Sequence, residues 1–220
     1  REAAGPLSLY FHLPFCETLC WFCGCNTIIT KDKGRVGDYR SLLEKEMDLF
    51  KDLIRSGRKV SQLHFGGGTP NFFPATEVEA LGQAIRERFD FAEDPEASVE
   101  LAPSHLNEAH VRAFRSIGVN RASFGVQDID PEVQKAIHRI QPQATNLRTV
   151  EWLRKHDFQS INIDLIYGLP GQTVQSFHRT LERVLDLAPD RLAVFSYAHV
   201  PWMKPAQKML EKAGLPSPGE

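Results

Sequence analysis

Leu7-Ser8-Leu9-Tyr10-Phe11-His12-Leu13, followed at once by Pro14-Phe15-Cys16-Glu17-Thr18-Leu19-Cys20-Trp21-Phe22-Cys23-Gly24-Cys25, is the stretch from which the rest of this chain is read. Its first seven residues form an apolar and aromatic run that predicts a β-strand. The loop behind the strand carries three thiols at the spacing Cys-x3-Cys-x2-Cys, Cys16, Cys20 and Cys23, which brings them onto three corners of a cube from one short segment. Iron–sulfur cubes ordinarily take four protein thiolates. Three leave one iron free to chelate a ligand with an amino and a carboxylate group, such as the methionine end of S-adenosylmethionine. Phe15, Trp21 and Phe22 would shield such a cluster from water and tune its potential. Two plainer readings stand beside this one. Four cysteines suit a zinc knuckle, but zinc pairs usually lie a dozen or more residues apart, and Cys23-Gly24-Cys25 is too tight for two independent corners. Cys20 and Cys23 have the spacing of a redox dithiol, to which the remaining thiols do not belong. The spacing favours the cluster.

Outward from this loop, short β-branched or aromatic runs alternate with amphipathic helical patterns. The predicted strands are Leu7–Leu13, Val60–Phe65, Ala97–Leu101, Arg121–Val126, Ser160–Ile166 and Arg191–Tyr197. Asp38 is read as the cap of a helix that carries Tyr39, Leu42, Leu43, Met47, Phe50, Leu53 and Ile54 on one face and stops at Gly57. Thr76 and Glu79 have capping-box spacing. Asn107 opens a helix ended by Gly118, and Asp130-Pro131 starts another. A further helix is expected over about Thr145–His156, and Thr173 opens the last. Strand–helix units in this succession imply a parallel sheet with helices outside it. Six are too few to close an eight-stranded barrel. The fold class is therefore α/β, a (β/α)6 partial barrel of parallel strands, with its active site at the C-terminal strand ends as in full barrels. The 220 residues read as one domain; a start without Met and a linker-like Pro216-Ser217-Pro218-Gly219-Glu220 suggest a piece of a longer protein.

Hydrophobic residues at 42% and charged residues at 25% are ordinary for a globular protein, and a net charge of −2 with no Lys/Arg run gives no footprint for nucleic acid. The sequence lacks a stretch of about 20 apolar residues that would span a membrane, and its first residues lack the apolar core of a signal peptide. All four cysteines fall between positions 16 and 25, too local for a secreted disulfide framework, which points to a reducing cytoplasm.

Gly66-Gly67-Gly68-Thr69-Pro70 sits at the C-terminal end of the second strand, where glycines let backbone approach a ligand; a tight turn before a helix would use the same residues. Glu100, Gln127 and Asp164 are polar residues in or just past strands of apolar surroundings. Burying one such group is costly unless it is paired, and three at equivalent strand ends favour a ligand site. His138-Arg139 lies in a helix-to-helix break, where Arg suits a carboxylate or phosphate, though a surface ion pair is the commoner fate of one Arg. His12 and His199 flank strand ends as possible supporting donors. His105, His110, His156 and His178 read as surface helix positions.

Cys-x3-Cys-x2-Cys after a first strand resembles the signature of the radical S-adenosylmethionine superfamily. Tyr10 to Cys16 together with Cys23-Gly24-Cys25 is similar to one branch, the oxygen-independent coproporphyrinogen III oxidases. The likeness continues through Gln62 to Pro70, Phe124 to Asp128, Asn162 to Pro170 and Tyr197-Ala198-His199, and so covers essentially the whole chain. The resemblance implies a [4Fe–4S] cluster on Cys16, Cys20 and Cys23 and two molecules of S-adenosylmethionine. Tyr10, Gly67 and Glu100 would contact the cluster-bound molecule. Phe22, Gly68, Thr69, Gln127, Arg139, Asp164 and Ala198 would contact the second. Tyr10 and Cys25 are the catalytic candidates, Cys25 matching the branch's extra cysteine outside the cluster ligands. The implied reaction is oxidative decarboxylation of two propionates of coproporphyrinogen III to vinyl groups, giving protoporphyrinogen IX in anaerobic haem biosynthesis. Its partners would be the porphyrinogen and an electron donor, with the protein a cytoplasmic monomer, and with no nucleic acid or membrane involved. Leu101-Ala102-Pro103 departs from the branch, which commonly has an acidic residue before the proline, and the branch's helical C-terminal domain and N-terminal segment have no counterpart here. Two relatives offer alternatives. One is a haem-binding chaperone, against which Gly24-Cys25 argues; the other is a radical methyltransferase or cyclopropanase of the same two-molecule class.

Overall fold

The computed structural model describes residues 5–51, 53–54 and 57–216. The first four residues and the linker-like 217–220 lie outside them. In chain order the elements are β1 (Leu7–Leu13), β2 (Phe15–Cys16), β3 (Ile28–Ile29), α1 (Arg35–Lys51), β4 (Val60–Gly67), α2 (Ala75–Arg88) and β5 (Phe91–Leu101). They continue with α3 (Glu108–Ser116), β6 (Arg121–Gln127), α4 (Pro131–Ala136), α5 (Gln143–Lys155), β7 (Ser160–Tyr167), α6 (Val174–Leu185), β8 (Arg191–Ser196) and α7 (Lys208–Lys212). β1, β4, β5, β6, β7 and β8 form one parallel sheet in that spatial order, so each strand pairs with the one before it in the predicted series. Five of the six strands coincide with their predicted spans to within two residues. Only β5 is much longer than read, because its pairing to β4 already starts at Phe91. The two-residue pair of β2 with β3 was not foreseen; it closes the cysteine loop, Phe15 opposite Ile28 and Cys16 opposite Ile29.

Period-two alternation sorts each strand into two faces. Phe65, Val99, Phe124, Ile161, Ile163 and Leu165 point outward and are buried, where helices cover the sheet. Each such side chain contributes roughly 1.5–3 kcal/mol of transfer free energy. The other face carries Tyr10, His64, Ser98, Glu100, Ser123, Asn162 and Asp164, and among the described residues no layer of helices fills it. Parallel sheets ordinarily bury both faces under apolar side chains. Here the concave face is polar and open, and that difference sets where the chemistry lies.

Several expected helix ends hold. Asn107 accepts from the His110 backbone N–H in a capping box, and Gly118 follows with φ +92°. Asp130 accepts from Glu132 N–H ahead of Pro131, and Thr173 caps α6 through Ser176. Others are corrected. α1 begins at Arg35, placing Asp38 inside its first turn rather than at its cap, where its charge still suits the helix dipole. Thr76 and Glu79 form no box: the Pro74 carbonyl takes the N–H groups of Glu77 and Val78, so α2 starts at Ala75 with Thr76 already inside it. Leu42, Phe50 and Leu53 are exposed, and α1 buries only Val36, Leu43 and Met47. His110 is buried rather than superficial, its ring filling out the α3 cap. Among the described residues, no helix is long and apolar enough to cross a membrane.

Candidate cofactor site at the strand ends

The site is assembled where the strands of the sheet end. Leu13 and Phe15, leaving β1, accept hydrogen bonds from the backbone N–H groups of Gly68 and Thr69, both 2.9 Å, so the cysteine loop and the glycine loop are laced together. Gly67 sits at φ +112°, a conformation glycine adopts without penalty. At Gly68 a Cβ would stand 2.5 Å from the Pro14 carbonyl oxygen, so only a bare backbone fits against the loop.

The three thiols are free and half-buried, and Cys25 is exposed. Cys16 Sγ lies 3.3 Å from Thr69 Oγ1. Arg139 Nη1 donates toward Cys20 Sγ at 3.7 Å, and its Nη2 donates to the Gly125 carbonyl at 2.9 Å. Burial pushes the Cys16 thiol up. Cys23 is held down to about 6, chiefly by a hydrogen bond from the Cys25 side chain. Cys25 is raised by the same shared proton. The far side of the loop is clamped by the His138–Arg139 turn. Trp21 N–H donates to the Ile137 carbonyl, the His138 Nδ1–H donates to the Leu19 carbonyl at 2.9 Å, and the Trp21 and His138 rings stack with centroids 5.0 Å apart.

A cavity of about 490 Å³ opens against this loop. Its wall includes Cys16, Cys20, Cys23 and Cys25, together with Phe22, Gly67, Gly68, Thr69, Glu100, Gln127, Arg139 and Asp164. Two of the residues expected here, Tyr10 and Ala198, do not line it. Tyr10 is on the concave face but 57% exposed; its hydroxyl donates to His12 Nδ1 at 2.9 Å, while His12 Nε2 donates to the Asn26 carbonyl. Ala198 follows β8, and its carbonyl accepts from Gln207. His199 is likewise outside the cavity wall, tied to Tyr197 and Glu211.

Whether an iron–sulfur cube and a polar cofactor suit this wall is tested by its unsatisfied groups. Gln127 Oε1 and Arg139 Nε are buried without a partner among the described residues. Such groups cost roughly 1–3 kcal/mol each when nothing binds them. Gln127 also stands at φ +65°, where a non-glycine residue is strained. Strain and a missing partner coincide on one side chain facing the cavity, and a ligand with donor groups would satisfy it. Among the described residues, no three His, Cys, Asp or Glu side chains gather around one point as for a single ion. A cube asks for a different arrangement, each thiolate on its own iron. The donor set fits the cube and the polar wall fits a polar cofactor.

Asp164 shares the cavity wall with the thiols. Ser123 Oγ donates to its two oxygens at 3.2 and 3.1 Å and Asn162 Nδ2 donates to Oδ1 at 2.6 Å. Burial nevertheless raises its pKa above the ordinary 3.8. The folded carboxyl therefore binds its proton more tightly than the unfolded one, and the cofactor-free fold loses stability as the pH rises from 3.8 through the folded value. Asp164→Asn is expected to raise the Tm of the cofactor-free protein at neutral pH by about 2–4 °C, the gain shrinking as the pH is lowered toward 3.8. Thermal melts at several pH values check this; a gain independent of pH would contradict it.

Two groups from the segment after β8 also hold the loop and left no trace in the sequence reading. Lys204 Nζ donates to the Cys25 carbonyl at 2.8 Å. Gln207, 1% exposed, donates to the Phe22 and Ala198 carbonyls at 3.2 and 3.1 Å and accepts from Val200 N–H at 2.6 Å. Buried and fully paired, it joins the cysteine loop to the strand end that carries Ala198. A single glutamine between Ala206 and Lys208 gives no sequence signal of this.

Comparison with known proteins agrees with this geometry. The family model described as the Radical SAM superfamily matches residues 10–184. An oxygen-independent coproporphyrinogen III oxidase from Helicobacter pylori is 50% identical over 97% of this chain and 47% of its own length. One from Synechocystis sp. is 46% identical over 96% of this chain and 45% of its own. The solved structure of coproporphyrinogen III oxidase from Escherichia coli, described as a radical SAM enzyme, superposes with a TM-score of 0.93 at 45% identity, covering 97% of this chain and 49% of that one. The chain thus spans about half the length of the relatives it matches.

Proposed function

Because this chain belongs to the radical SAM superfamily, whose cofactors are a [4Fe–4S] cluster and S-adenosylmethionine, we propose that it is the cofactor-binding half of an oxygen-independent coproporphyrinogen III oxidase. The observation that carries this reading is the cavity that gathers Cys16, Cys20 and Cys23 with Gly68, Gln127, Arg139 and Asp164. It is supported by relatives of that name, 46% and 50% identical over nearly the whole chain. The reaction turns two propionates of the porphyrinogen into vinyl groups, each losing carbon dioxide, one hydrogen atom and one electron.

When bound, the cofactors supply one-electron chemistry that abstracts a hydrogen atom from the substrate. The chain's own residues do the rest. Cys16, Cys20 and Cys23 are the iron ligands, and Phe15, buried under Tyr39, Phe72 and Phe73, keeps water from their side of the loop. Glu100, with Gly67 beside it, orients the first S-adenosylmethionine, and Tyr10 stands at the open rim of the same row. Gln127 and Arg139 offer unpaired polar atoms to a second molecule, whose remaining contacts are Phe22, Gly68, Thr69, Asp164 and Ala198. A porphyrinogen, an electron donor and a monomeric state in the cytoplasm belong to this reading. Cys25, hydrogen-bonded to Cys23 rather than aimed at a corner of its own, serves beside the cluster and not as its ligand.

The test uses the full-length protein, loaded with iron and sulfide without oxygen, reduced, and given S-adenosylmethionine and coproporphyrinogen III. Protoporphyrinogen IX, methionine and 5′-deoxyadenosine in the mass spectrum are the expected products. Deoxyadenosine with undiminished coproporphyrinogen would reject the substrate and leave the cofactor site standing.

A further inference from the structure

His64 takes no part in the arrangement so far, yet its placement is unusual. It lies in β4 with its side chain on the open concave face, opposite Tyr10 of β1 and Ser98 of β5 in the sheet register. Its Nδ1 is 2.7 Å from Ser98 Oγ, and its Nε2 is 3.4 Å from Glu100 Oε1. The second carboxylate oxygen of Glu100 accepts the Gly67 backbone N–H at 3.2 Å. Tyr10 stacks on the imidazole, ring centroids 5.7 Å apart and 17° from parallel. A carboxylate only accepts, so a bond from His64 to Glu100 requires the proton on Nε2, which leaves Nδ1 to accept from the serine hydroxyl or, in the doubly protonated ring, to donate to it. Space has been left for the pair as well: at Gly66 a Cβ would come within 2.9 Å of His64 Nε2 and 3.1 Å of Glu100 Oε2.

We propose that His64 is a positioning residue of the cofactor site. Braced by Ser98 and Tyr10, it holds the Glu100 carboxylate beside Gly67 in the orientation that receives the polar end of S-adenosylmethionine. This rests on the reading of Glu100 as a contact to that molecule. Glu100 is half-exposed at the cavity wall, with three rotatable bonds. Left alone, it would lose side-chain entropy on meeting a ligand, and His64 removes part of that loss beforehand. Glu100 is correspondingly held below the usual carboxylate range, with His64 the chief cause and the Gly67 N–H a further one. The 3.4 Å separation is long for a hydrogen bond, as is common before a ligand tightens a site.

The experiment measures the dissociation constant of S-adenosylmethionine in the full-length, cluster-loaded protein, from the change in the electron paramagnetic resonance of the reduced cluster. Iron content and the Tm of the cofactor-free protein are followed alongside. His64→Leu is expected to weaken binding about tenfold, within the range for residues that orient ligands, with iron content unchanged. His64→Gln, whose amide can still donate to Glu100, is expected to recover most of it. Glu100→Gln is the control. If it weakens binding and His64→Leu does not, the positioning role is wrong. Equal weakening in the Leu and Gln variants with a matching fall in Tm would make His64 merely structural and overturn the proposal. Undisturbed binding in Glu100→Gln would instead reject the cofactor contact on which the proposal stands. Should His64→Leu fail to fold, Ser98→Ala takes its place; weaker binding supports the brace and unchanged binding overturns it.

Discussion

Alanine in place of Cys16, Cys20 or Cys23 is expected to leave the full-length protein with background iron and no turnover. Each thiol serves a separate corner, and the loop offers no substitute. Cys25 is exposed, and its backbone N–H donates to Cys23 Sγ at 3.4 Å, so it packs against a ligand instead of standing at a position of its own. Arg139 donates toward the sulfur of Cys20 and Thr69 shares a hydrogen bond with that of Cys16, and neither replaces a thiolate as a ligand. Iron and sulfide analysis after anaerobic loading distinguishes the cases. Cys25→Ser is expected to keep the full iron load, and its loss there would move Cys25 into the ligand set.

Gly68→Val is expected to cost the enzyme about 100-fold in turnover, the scale on which a misplacement of about 1 Å damages a reacting geometry. A Cβ at Gly68 would lie 2.5 Å from the Pro14 carbonyl oxygen, 2.6 Å from its carbon and 2.9 Å from the Phe15 carbonyl oxygen. These are backbone atoms at the entrance to the cysteine loop and have no rotamer by which to move aside. The Gly68 N–H to Leu13 bond and the Thr69 N–H to Phe15 bond must stretch with them. Gly24→Val is the matched control, because a Cβ there meets nothing within 4 Å. Rates from the loaded enzyme and the dissociation constant of S-adenosylmethionine check this. Normal values in Gly68→Val would show that the two loops are not held in register by close backbone approach.

The residues legible in the sequence were those whose meaning is local. The spacing of Cys16, Cys20 and Cys23 needs only one loop, and the caps at Asn107, Asp130 and Thr173 need only the next turn. The strands were legible because their outward residues, such as Phe124 and Ile163, repeat every second position against one continuous core. What was misread depended on partners distant in sequence. Phe50 has helical spacing with Met47 and Leu42 with Tyr39, but the contact stripe of α1 is narrower than its apolar arc, and both remain exposed. The Thr76–Glu79 spacing was overridden by Pro74, whose carbonyl starts the helix sooner. His64 meets Ser98 and Glu100 only through the register of β4 with β5. Gln207 meets the Phe22 carbonyl across 185 residues of sequence. The polar strand ends at Glu100, Gln127 and Asp164 were recognised as a group because the barrel topology places them together. The orphaned oxygen and positive φ of Gln127 became visible only in three dimensions.

A cube held by Cys16, Cys20 and Cys23 would have one iron without a protein ligand. Mössbauer spectroscopy of the full-length protein, loaded with ⁵⁷Fe and recorded with and without S-adenosylmethionine, tests it most directly. One iron of the cube is expected to change its spectrum when S-adenosylmethionine is added while the other irons keep theirs. A spectrum that S-adenosylmethionine leaves unaltered, or an iron content too low for a cube, would contradict it.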